Sequence, residues 1–325
     1  MNSLNLDVLD TAAAVVHRVI APTPQLVWPL LSARAGCTVW VKHENAAPTG
    51  AFKVRGGLVH LARLKQADPK LRGVIAATRG NHGQSIAFAA GRLGLRATIV
   101  VPHGNSADKN RAMRALGAEL IIHGHDFQAA LDHARARAAQ DRLCFVPSFH
   151  PDLVAGVASY ALELFRAAPT LDAVYVPIGL GSGICGVIAA RDALGLKTEV
   201  IGVVSASAPA YALSFAKGAP VSTERADTLA DGMACRVPVP EAVEMICRGA
   251  ARVVTVTDDA VLDAIGHLFS DSHTIAEGAG AAPLAALLQE RSRLAGKTVG
   301  LILSGGNIDR ALYRRALDTI KDAPA

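Results

Sequence analysis

Short apolar runs alternate with amphipathic stretches along almost the whole chain, and this alternation constrains the fold more than any other feature. Such a pattern predicts parallel strands joined by helices that cover both faces of a sheet. A chain of 325 residues can bury more than one core. We therefore predict an α/β protein with two lobes, each a parallel Rossmann-like sheet. The predicted strands are 38–41, 74–77, 97–101, 119–122, 173–176, 199–204 and 299–303.

The order of these runs also predicts a domain organisation. Residues 74–145 would form a smaller domain. Residues 1–73 and 146–325 would form a larger, discontinuous domain that binds a cofactor. The sequence contains no internal repeat and no long linker that would suggest another division.

One lysine stands in an unusual setting near the start of a helical run. Residues 49–56 read Thr-Gly-Ala-Phe-Lys-Val-Arg-Gly, so that Lys53 follows Phe52 and has glycines on both sides. A lysine that forms an imine with an aldehyde needs small neighbours and a dry site that favours the neutral amine. An ordinary surface lysine at the start of a helix would also explain the pattern.

Two glycine-containing turns each follow an apolar run and open a helix. Residues 78–84 read Thr-Arg-Gly-Asn-His-Gly-Gln, and residues 179–183 read Gly-Leu-Gly-Ser-Gly. In this context free backbone N–H groups face a bound anion, so the second turn is predicted to hold a phosphate. It matches neither a Walker loop nor a dinucleotide fingerprint.

A fourth segment, Ser304-Gly305-Gly306-Asn307, directly follows the apolar run 299–303. It places the neutral hydroxyl of Ser304 at the carboxyl end of a strand, where open α/β sheets bind ligands.

In this order and at this spacing, the four segments resemble those of the fold type II pyridoxal-phosphate enzymes. Within that family they resemble the branch of threonine and serine dehydratases and serine racemases. The resemblance runs from about residue 22 to about residue 309. It implies pyridoxal 5'-phosphate as the cofactor, Lys53 as the catalytic lysine that holds it, an amino-acid substrate and a homodimer.

The resemblance also implies roles for the residues around the lysine. Phe52 would pack against the cofactor ring, Asn81 would bind the phenolic oxygen and Ser304 would meet the pyridine nitrogen. Glu277 resembles an acidic residue on the cofactor face, although a helix N-terminal acid explains it equally well. The phosphate would be held by Gly179, Leu180, Gly181, Ser182 and Gly183, and the substrate by Thr78, Arg79, Gly80, Asn81 and His82.

The electronics of the cofactor then favour one reaction type. A serine hydroxyl cannot give the ring nitrogen a full proton as a carboxylate partner does, so the ring is a weaker electron sink. This favours rapid loss of a β-leaving group over transamination. The expected activity is that of an ammonia-lyase, which removes water and then ammonia from a β-hydroxy-α-amino acid to give a 2-oxo acid.

The sequence departs from the racemase pattern at Arg79, where those enzymes carry a serine thought to act on the opposite face of the substrate. An arginine is effectively always protonated and is a poor base, so racemisation is disfavoured. Its guanidinium instead suits a second carboxylate on the substrate. The alternative is that Arg79 points to solvent or pairs with a local acid.

No metal site is expected. Ser205 and Tyr211 stand where racemases carry acidic ligands of an activating divalent cation. Residues 123–126 read His-Gly-His-Asp, and alternating residues that leave a strand are more often turn residues than ligands. The Asp231-Gly232 pair matches a loop near the active site of the family, and a plain turn explains it as well.

The substrate stays open. Threonine, serine, 3-hydroxyaspartate, phenylserine and the amino acids of hydroxyectoine breakdown all belong to the class. Residues 43–57 and 179–186 look most like dehydratases of hydroxyectoine utilisation. A β-replacement synthase, an amino-acid racemase and a non-catalytic carrier of the cofactor are the alternatives in function.

Composition argues against several other classes of protein. The net charge of +5 is small and spread out, so nucleic acid is not an expected partner. Residues 173–190 carry no charge but contain Pro177 and four glycines, which favours strand, turn and helix over a membrane span. The first nine residues do not resemble a signal peptide. With the five widely spaced cysteines, this predicts a cytoplasmic protein.

Overall fold

The computed structural model describes residues 4–168 and 170–319. In these residues the chain forms two sheets, and all seven strands predicted from the sequence occur in them. Three further strands are short and were not predicted, namely the first, sixth and ninth. The strands are β1 (Gln25–Val27), β2 (Thr38–His43), β3 (Gly73–Ala77), β4 (Arg96–Val101), β5 (Glu119–Ile122), β6 (Cys144–Phe145), β7 (Ala173–Pro177), β8 (Glu199–Ser205), β9 (Arg252–Val256) and β10 (Thr298–Leu303).

The two sheets differ in size and in one detail of direction. The 6-stranded sheet has the order β1-β2-β10-β7-β8-β9, and the 4-stranded sheet has the order β5-β4-β3-β6. Every pair is parallel except β1 with β2, which is antiparallel. The α/β class is confirmed, but the larger sheet is mixed and not purely parallel. An antiparallel strand at the edge of a parallel sheet is common in such folds.

Helices cover both faces of the sheets, as the alternation in the sequence predicts. Three of them begin directly at a segment singled out above, at Lys53, Asn81 and Ser182. The helices are α1 (Leu6–His17), α2 (Pro29–Ala35), α3 (Lys53–Ala67), α4 (Asn81–Arg92), α5 (Ala107–Ala115), α6 (Phe127–Gln140), α7 (Pro151–Ala167), α8 (Ser182–Ala193), α9 (Ala210–Lys217), α10 (Pro240–Gly249), α11 (Asp258–Ser272), α12 (Gly278–Gln289) and α13 (Arg310–Asp318).

Helices α3 and α7 cross at two glycines in the core. A Cβ atom on Gly156 would lie 2.5 Å from the carbonyl oxygen of Arg55, and one on Gly56 would lie 2.9 Å from that of Leu153. Only glycine allows the backbones to approach this closely. The crossing fixes the first turn of α3, which carries Lys53.

The 4-stranded sheet uses residues between Gly73 and Phe145, and the 6-stranded sheet uses strands from both sides of that segment. The domain boundaries proposed from the sequence agree with this arrangement and stay a prediction. Residues 173–190 form β7, a turn and most of α8. No helix within residues 4–168 and 170–319 has the length and apolar character needed to cross a membrane.

Candidate active site

A pocket of about 860 Å³ lies where the carboxyl ends of β3, β7 and β10 face one another. This is the edge at which parallel sheets bind ligands. The pocket brings together all the site residues predicted from the sequence except Ser182, which lies directly behind Lys53. Those lining it are Phe52, Lys53, Thr78, Arg79, Gly80, Asn81, His82, Gly179, Leu180, Gly181, Gly183, Glu277 and Ser304. Their individual roles stay predictions.

Lys53 and Ser304 are held side by side through the backbone. The N–H group of Phe52 donates to the carbonyl oxygen of Ser304 at 3.0 Å, and Ala51 forms an isolated antiparallel bridge with Gly305. The end of β10 and the start of α3 are therefore one structural unit. Two segments far apart in sequence thus place an amine and a neutral hydroxyl in the same pocket.

The Lys53 amine is set up to react as a nucleophile. Its Nζ atom donates to Ser182 Oγ at 2.8 Å. Burial lowers the pKa of Lys53 to about 8, because the charged form loses its hydration. A substantial fraction of this amine is therefore neutral near physiological pH, and only a neutral amine can attack an aldehyde.

Phe52 packs against the glycine-rich turn at residues 179–183. Its ring meets that of Tyr160 edge to face at 5.9 Å between centroids, and the Tyr160 hydroxyl donates to the Gly183 carbonyl at 3.1 Å. A Cβ atom on Gly183 would lie 3.4 Å from Phe52 Cζ. The aromatic ring, the turn and the lysine therefore form one packed wall.

The turn itself has the geometry of an anion cradle. Gly181 has a φ of 95°, a conformation that favours glycine, and it precedes the first residue of α8. A Cβ atom on Gly179 would lie 2.2 Å from the Gly232 carbonyl oxygen, so the position has no room for a side chain. The first turn of α8 contains no acidic residue. Its free N–H groups and positive helix end suit a phosphate.

The second turn ends at the start of α4 and fixes the side chain of Asn81. Its Nδ2 atom donates to Glu277 Oε1 at 2.6 Å, and its Oδ1 atom accepts from Asn307 Nδ2 at 2.8 Å. The hydroxyl of Thr78 shapes the turn by accepting from the N–H group of Gly80 at 2.9 Å. Asn307 lies in the fourth sequence motif, but no sequence signal connects it with Asn81.

His82 is a neutral group in this pocket. Burial, together with the charge of Lys53, lowers its pKa to about 3. Within residues 4–168 and 170–319 its Nε2 atom has no hydrogen-bond partner. Buried polar atoms are rarely left unpaired, so this atom faces a place where a bound molecule can satisfy it.

Glu277 precedes the first residue of α12 but does not cap the helix with its side chain. The carboxylate binds Asn81 instead and lies 3.8 Å from Lys109 Nζ. Lys109 in turn pairs with Asp231, in a single 3-10 turn at Asp231–Met233. Glu277 and Asp231 stand in motifs that the resemblance singled out, whereas Lys109 reads as one polar residue of an amphipathic helix and was missed.

Arg79 lies at the mouth of the pocket and is exposed. In the described part of the chain it forms no ion pair, so the reading in which it pairs with a local acid is not the observed arrangement. Its guanidinium is free to meet a ligand at the entrance.

The residues weighed as metal ligands lie outside the pocket or in other contacts. His123 stacks on His133 with 3.8 Å between ring centroids, and His125 is exposed. Ser205 Oγ lies 3.3 Å from Asp258, and the Tyr211 hydroxyl accepts from the backbone of Val239.

A group of possible ligands not considered from the sequence, His60, His150 and Asp152, lies at the start of α7. There Arg63 already pairs with Asp152.

The donor set fits pyridoxal phosphate on structural grounds. Lys53 supplies an amine of lowered pKa for the aldehyde. The start of α8 supplies a cradle for the phosphate. Ser304 is buried and lines the same pocket, and it offers a hydroxyl to the ring nitrogen.

Comparison with known proteins agrees with this fit. The profile of the family described as pyridoxal-phosphate dependent enzyme matches residues 16–305. The L-threonine ammonia-lyase of Thermotoga maritima is 34% identical over 97% of this chain and 78% of its own length. The biosynthetic L-threonine dehydratase of Pasteurella multocida is 34% identical over 90% of this chain, which spans only 58% of that protein.

A solved structure extends the likeness to three dimensions. Threonine deaminase isoform 2 of Solanum lycopersicum superposes with a TM-score of 0.89 at 28% identity, and the match covers 97% of this chain and 94% of that one. One family profile matches most of the chain, and the pocket suits the cofactor of that family. This chain belongs to the pyridoxal-phosphate dependent enzymes and is homologous to their threonine dehydratases.

Proposed function

We propose that this chain is an ammonia-lyase that removes water and then ammonia from a β-hydroxy-α-amino acid to give a 2-oxo acid. The observation that carries the proposal is the presence of the Lys53 amine and the neutral hydroxyl of Ser304 in one pocket. The relatives named as threonine ammonia-lyase and threonine dehydratase support it.

The bound cofactor supplies an electron sink that acidifies the α-carbon of the substrate. Lys53 Nζ would be the group that takes the α-proton, because this amine lies in the pocket and burial lowers its pKa to about 8. Ser182 Oγ, 2.8 Å away, orients this amine. Arg79 is always charged and burial lowers the pKa of His82 to about 3, so neither suits the proton transfer that racemisation requires.

The turn at residues 78–82 is suited to the substrate carboxylate. The first N–H groups of α4 have no partners in their own helix, and that of Gly83 donates to Thr78 Oγ1 at 3.2 Å, which leaves those of Asn81 and His82 for a ligand. His82 stays neutral beside them, so it adds a hydrogen bond and no charge. We propose that Thr78, Gly80, Asn81 and His82 hold the α-carboxylate in this way.

Replacement of Ser304 tests the assignment of the ring partner. We expect Ser304→Ala to keep part of the activity, since a neutral hydrogen bond contributes about 0.5–1.5 kcal/mol net. Ser304→Asp would hold a proton on the ring nitrogen and favour transamination, so the ratio of ammonia to 2-oxo acid should fall below one. Ser148→Asp, also in the pocket lining, is the matched control for an added charge. A wild-type product ratio and rate in Ser304→Asp would show that Ser304 is not the partner.

For the substrate, we propose that Arg79 binds a second carboxylate and that 3-hydroxyaspartate is preferred over threonine and serine. The support is an exposed arginine at the pocket mouth, directly before Gly80, Asn81 and His82, the residues proposed to hold the α-carboxylate. Amino acids of hydroxyectoine breakdown also belong to the proposed substrate class. Membership of the chain in the hydroxyectoine-utilisation subgroup stays a proposal.

The prediction for Arg79 is a selective loss. Arg79→Ala should lower kcat/KM for 3-hydroxyaspartate, with little change for threonine. The expected loss of transition-state stabilisation is about 1.5–3 kcal/mol, as for hydrogen bonds to charged groups. Arg225→Ala is the matched control, because Arg225 is an exposed arginine that also lines the mouth. Steady-state kinetics of both variants on both substrates decide the matter. An unchanged ratio between diacid and threonine would refute the clamp and leave the lyase proposal intact.

We also propose that the chain acts as a homodimer in the cytoplasm. In support, Leu26, Val27 and Leu30 are 45%, 40% and 61% exposed at and beside the edge strand β1, and apolar side chains grouped on a surface favour association. Free cysteines suit a reducing compartment. Light scattering of the purified chain gives the oligomeric state.

A further inference from the structure

Four polar side chains form a line of contacts in the pocket that alternates between segments of the two sheets. Asp231 pairs with Lys109, Lys109 Nζ lies 3.8 Å from Glu277 Oε2, and Glu277 Oε1 accepts from Asn81 Nδ2 at 2.6 Å. Lys109 belongs to α5, beside the 4-stranded sheet, whereas Asp231 and Glu277 come from segments that follow β8. All four line the pocket that contains Lys53.

The two central side chains of this line, Glu277 and Lys109, are buried, so each strongly affects the charge state of the other. Glu277 is 3% exposed, and in the described residues its Oε2 atom has no hydrogen-bond partner. Lys109 is 7% exposed, and its stem packs so closely on Gly80 that a Cβ atom there would lie 2.6 Å from Lys109 Cδ. The ammonium cannot swing away without opening the substrate turn.

We propose that Lys109 is a positioning residue which, balanced against Asp231, sets the charge of Glu277 and thereby the direction in which Asn81 presents its amide to the bound cofactor. The inference goes beyond the proposed reaction, because it concerns the resting enzyme and needs no substrate.

The hydrogen bonds explain why Asn81 responds to this charge. An ionised Glu277 accepts from Asn81 Nδ2, while Asn307 Nδ2 donates to Asn81 Oδ1 at 2.8 Å. These two contacts fix the amide and leave one N–H of Nδ2 free for the phenolic oxygen of the cofactor. A protonated Glu277 would accept from Asn81 only as a neutral carbonyl, a weaker bond than that to a carboxylate, so the amide would be held less firmly.

The balance of charges agrees with this picture. Burial raises the pKa of Glu277 to about 7, Lys109 lowers it and Asp231 raises it further. The pocket wall also carries Lys53 and His82, on α3 and α4, and further charged groups that include Arg79, Asp126, Asp227 and Glu241. The charges that act on Glu277 are those of Lys109 and Asp231. Glu277 is therefore poised near neutrality, where a neighbouring charge decides its state.

A purely structural role would also explain the contacts. Lys109 and Asp231 form an ion pair between segments of the two sheets. If the pair only held these segments together, loss of either partner would weaken the contact in the same way. The charge-setting role differs in sign, since loss of Lys109 removes a charge that favours ionised Glu277 and loss of Asp231 removes one that opposes it.

The experiment follows the visible absorption of the protein-bound cofactor as a function of pH in the holoenzyme, without substrate. We expect the wild type to show a transition near neutral pH. In Lys109→Met the midpoint should rise by about one pH unit or more, as for a charge some 4–6 Å away, and in Asp231→Asn it should fall. Lys109→Arg should restore a midpoint close to the wild type.

Two controls complete the design. Arg111→Met removes one positive charge from the exposed side of the same helix and should leave the midpoint unchanged. Glu277→Gln should abolish the transition.

The proposal is refuted if Lys109→Met and Asp231→Asn shift the midpoint in the same direction, if neither moves it, or if the transition survives in Glu277→Gln. Because the readout involves no turnover, failure of the proposed lyase activity would leave this result unaffected.

Discussion

Lys53→Ala is expected to lower turnover by about 10²- to 10⁴-fold or more, because it removes both the covalent anchor of the cofactor and the proposed base. The protein should stay folded. The lysine Nζ atom makes one hydrogen bond, to Ser182, and a net contribution of about 0.5–1.5 kcal/mol is lost with it. Burial of the amine away from water costs free energy. Its removal therefore offsets part of that loss.

The measurement combines three readouts on the purified variant. These are 2-oxo acid formation, the visible band of the bound cofactor and the free energy of unfolding. Lys53→Arg keeps the charge but cannot attach the cofactor, and it should be as inactive as Lys53→Ala. Lys65→Ala is the matched control, since Lys65 lies on the same helix and its Nζ atom donates to the backbone carbonyls of residues 69 and 71. Full activity in Lys53→Ala would overturn the assignment of this site.

Features that depend only on local backbone geometry could be predicted from the sequence. The turn at residues 179–183 could be read as an anion cradle because Gly181 needs a positive φ and α8 starts at the next residue. Two of the strands that were missed lack a local signal, because β1 has three residues between prolines and β6 has only two. The third, β9, reads Arg-Val-Val-Thr-Val, a β-branched run that favours a strand.

Side-chain pairs that join distant segments could not be predicted. Lys109 lies on an amphipathic helix and reads as a solvated residue, yet the facing segments at Asp231 and Glu277 bury it to 7% exposure. Those partners are 122 and 168 positions further along the chain. Lys109 meets these partners only because the two sheets approach each other in the fold. No periodicity in the sequence predicts that approach.

The buried ion network behind Lys53 is the second case, and it was not noticed in the sequence at all. Arg55 is 0% exposed and donates to Glu44 at 2.7 Å and to Glu163 at 2.6 Å. Lys42 Nζ donates to Glu163 at 2.5 Å. The network joins β2, the 3-10 turn at Glu44–Ala46, α3 and α7, and so supports the wall on which Lys53 stands.

We expect Arg55→Met to destabilise the protein by about 3–5 kcal/mol, because it removes the arginine that pairs with buried Glu44 and leaves Glu163 without one of its cationic partners. Arg166→Met is the matched control. Arg166 is on the same helix as Glu163 and pairs with Asp10 at the surface, where such pairs are worth about 0–1 kcal/mol. Urea unfolding of both variants at pH 7 gives the two free energies. Equal, small losses would show that the network adds little to stability.

The effect of Arg55 should also depend on pH, with a definite sign. Burial alone would raise the pKa of Glu163, but the hydrogen bonds and charges of Arg55 and Lys42 outweigh it and lower that pKa below its ordinary value. A carboxyl group with a depressed pKa contributes stability above its unfolded pKa and loses that contribution as pH falls through the folded value. The difference in stability between wild type and Arg55→Met should therefore be largest near neutrality and shrink toward acid pH. A difference that grows on acidification would mean that Arg55 stabilises the fold through packing of its stem and not through Glu163.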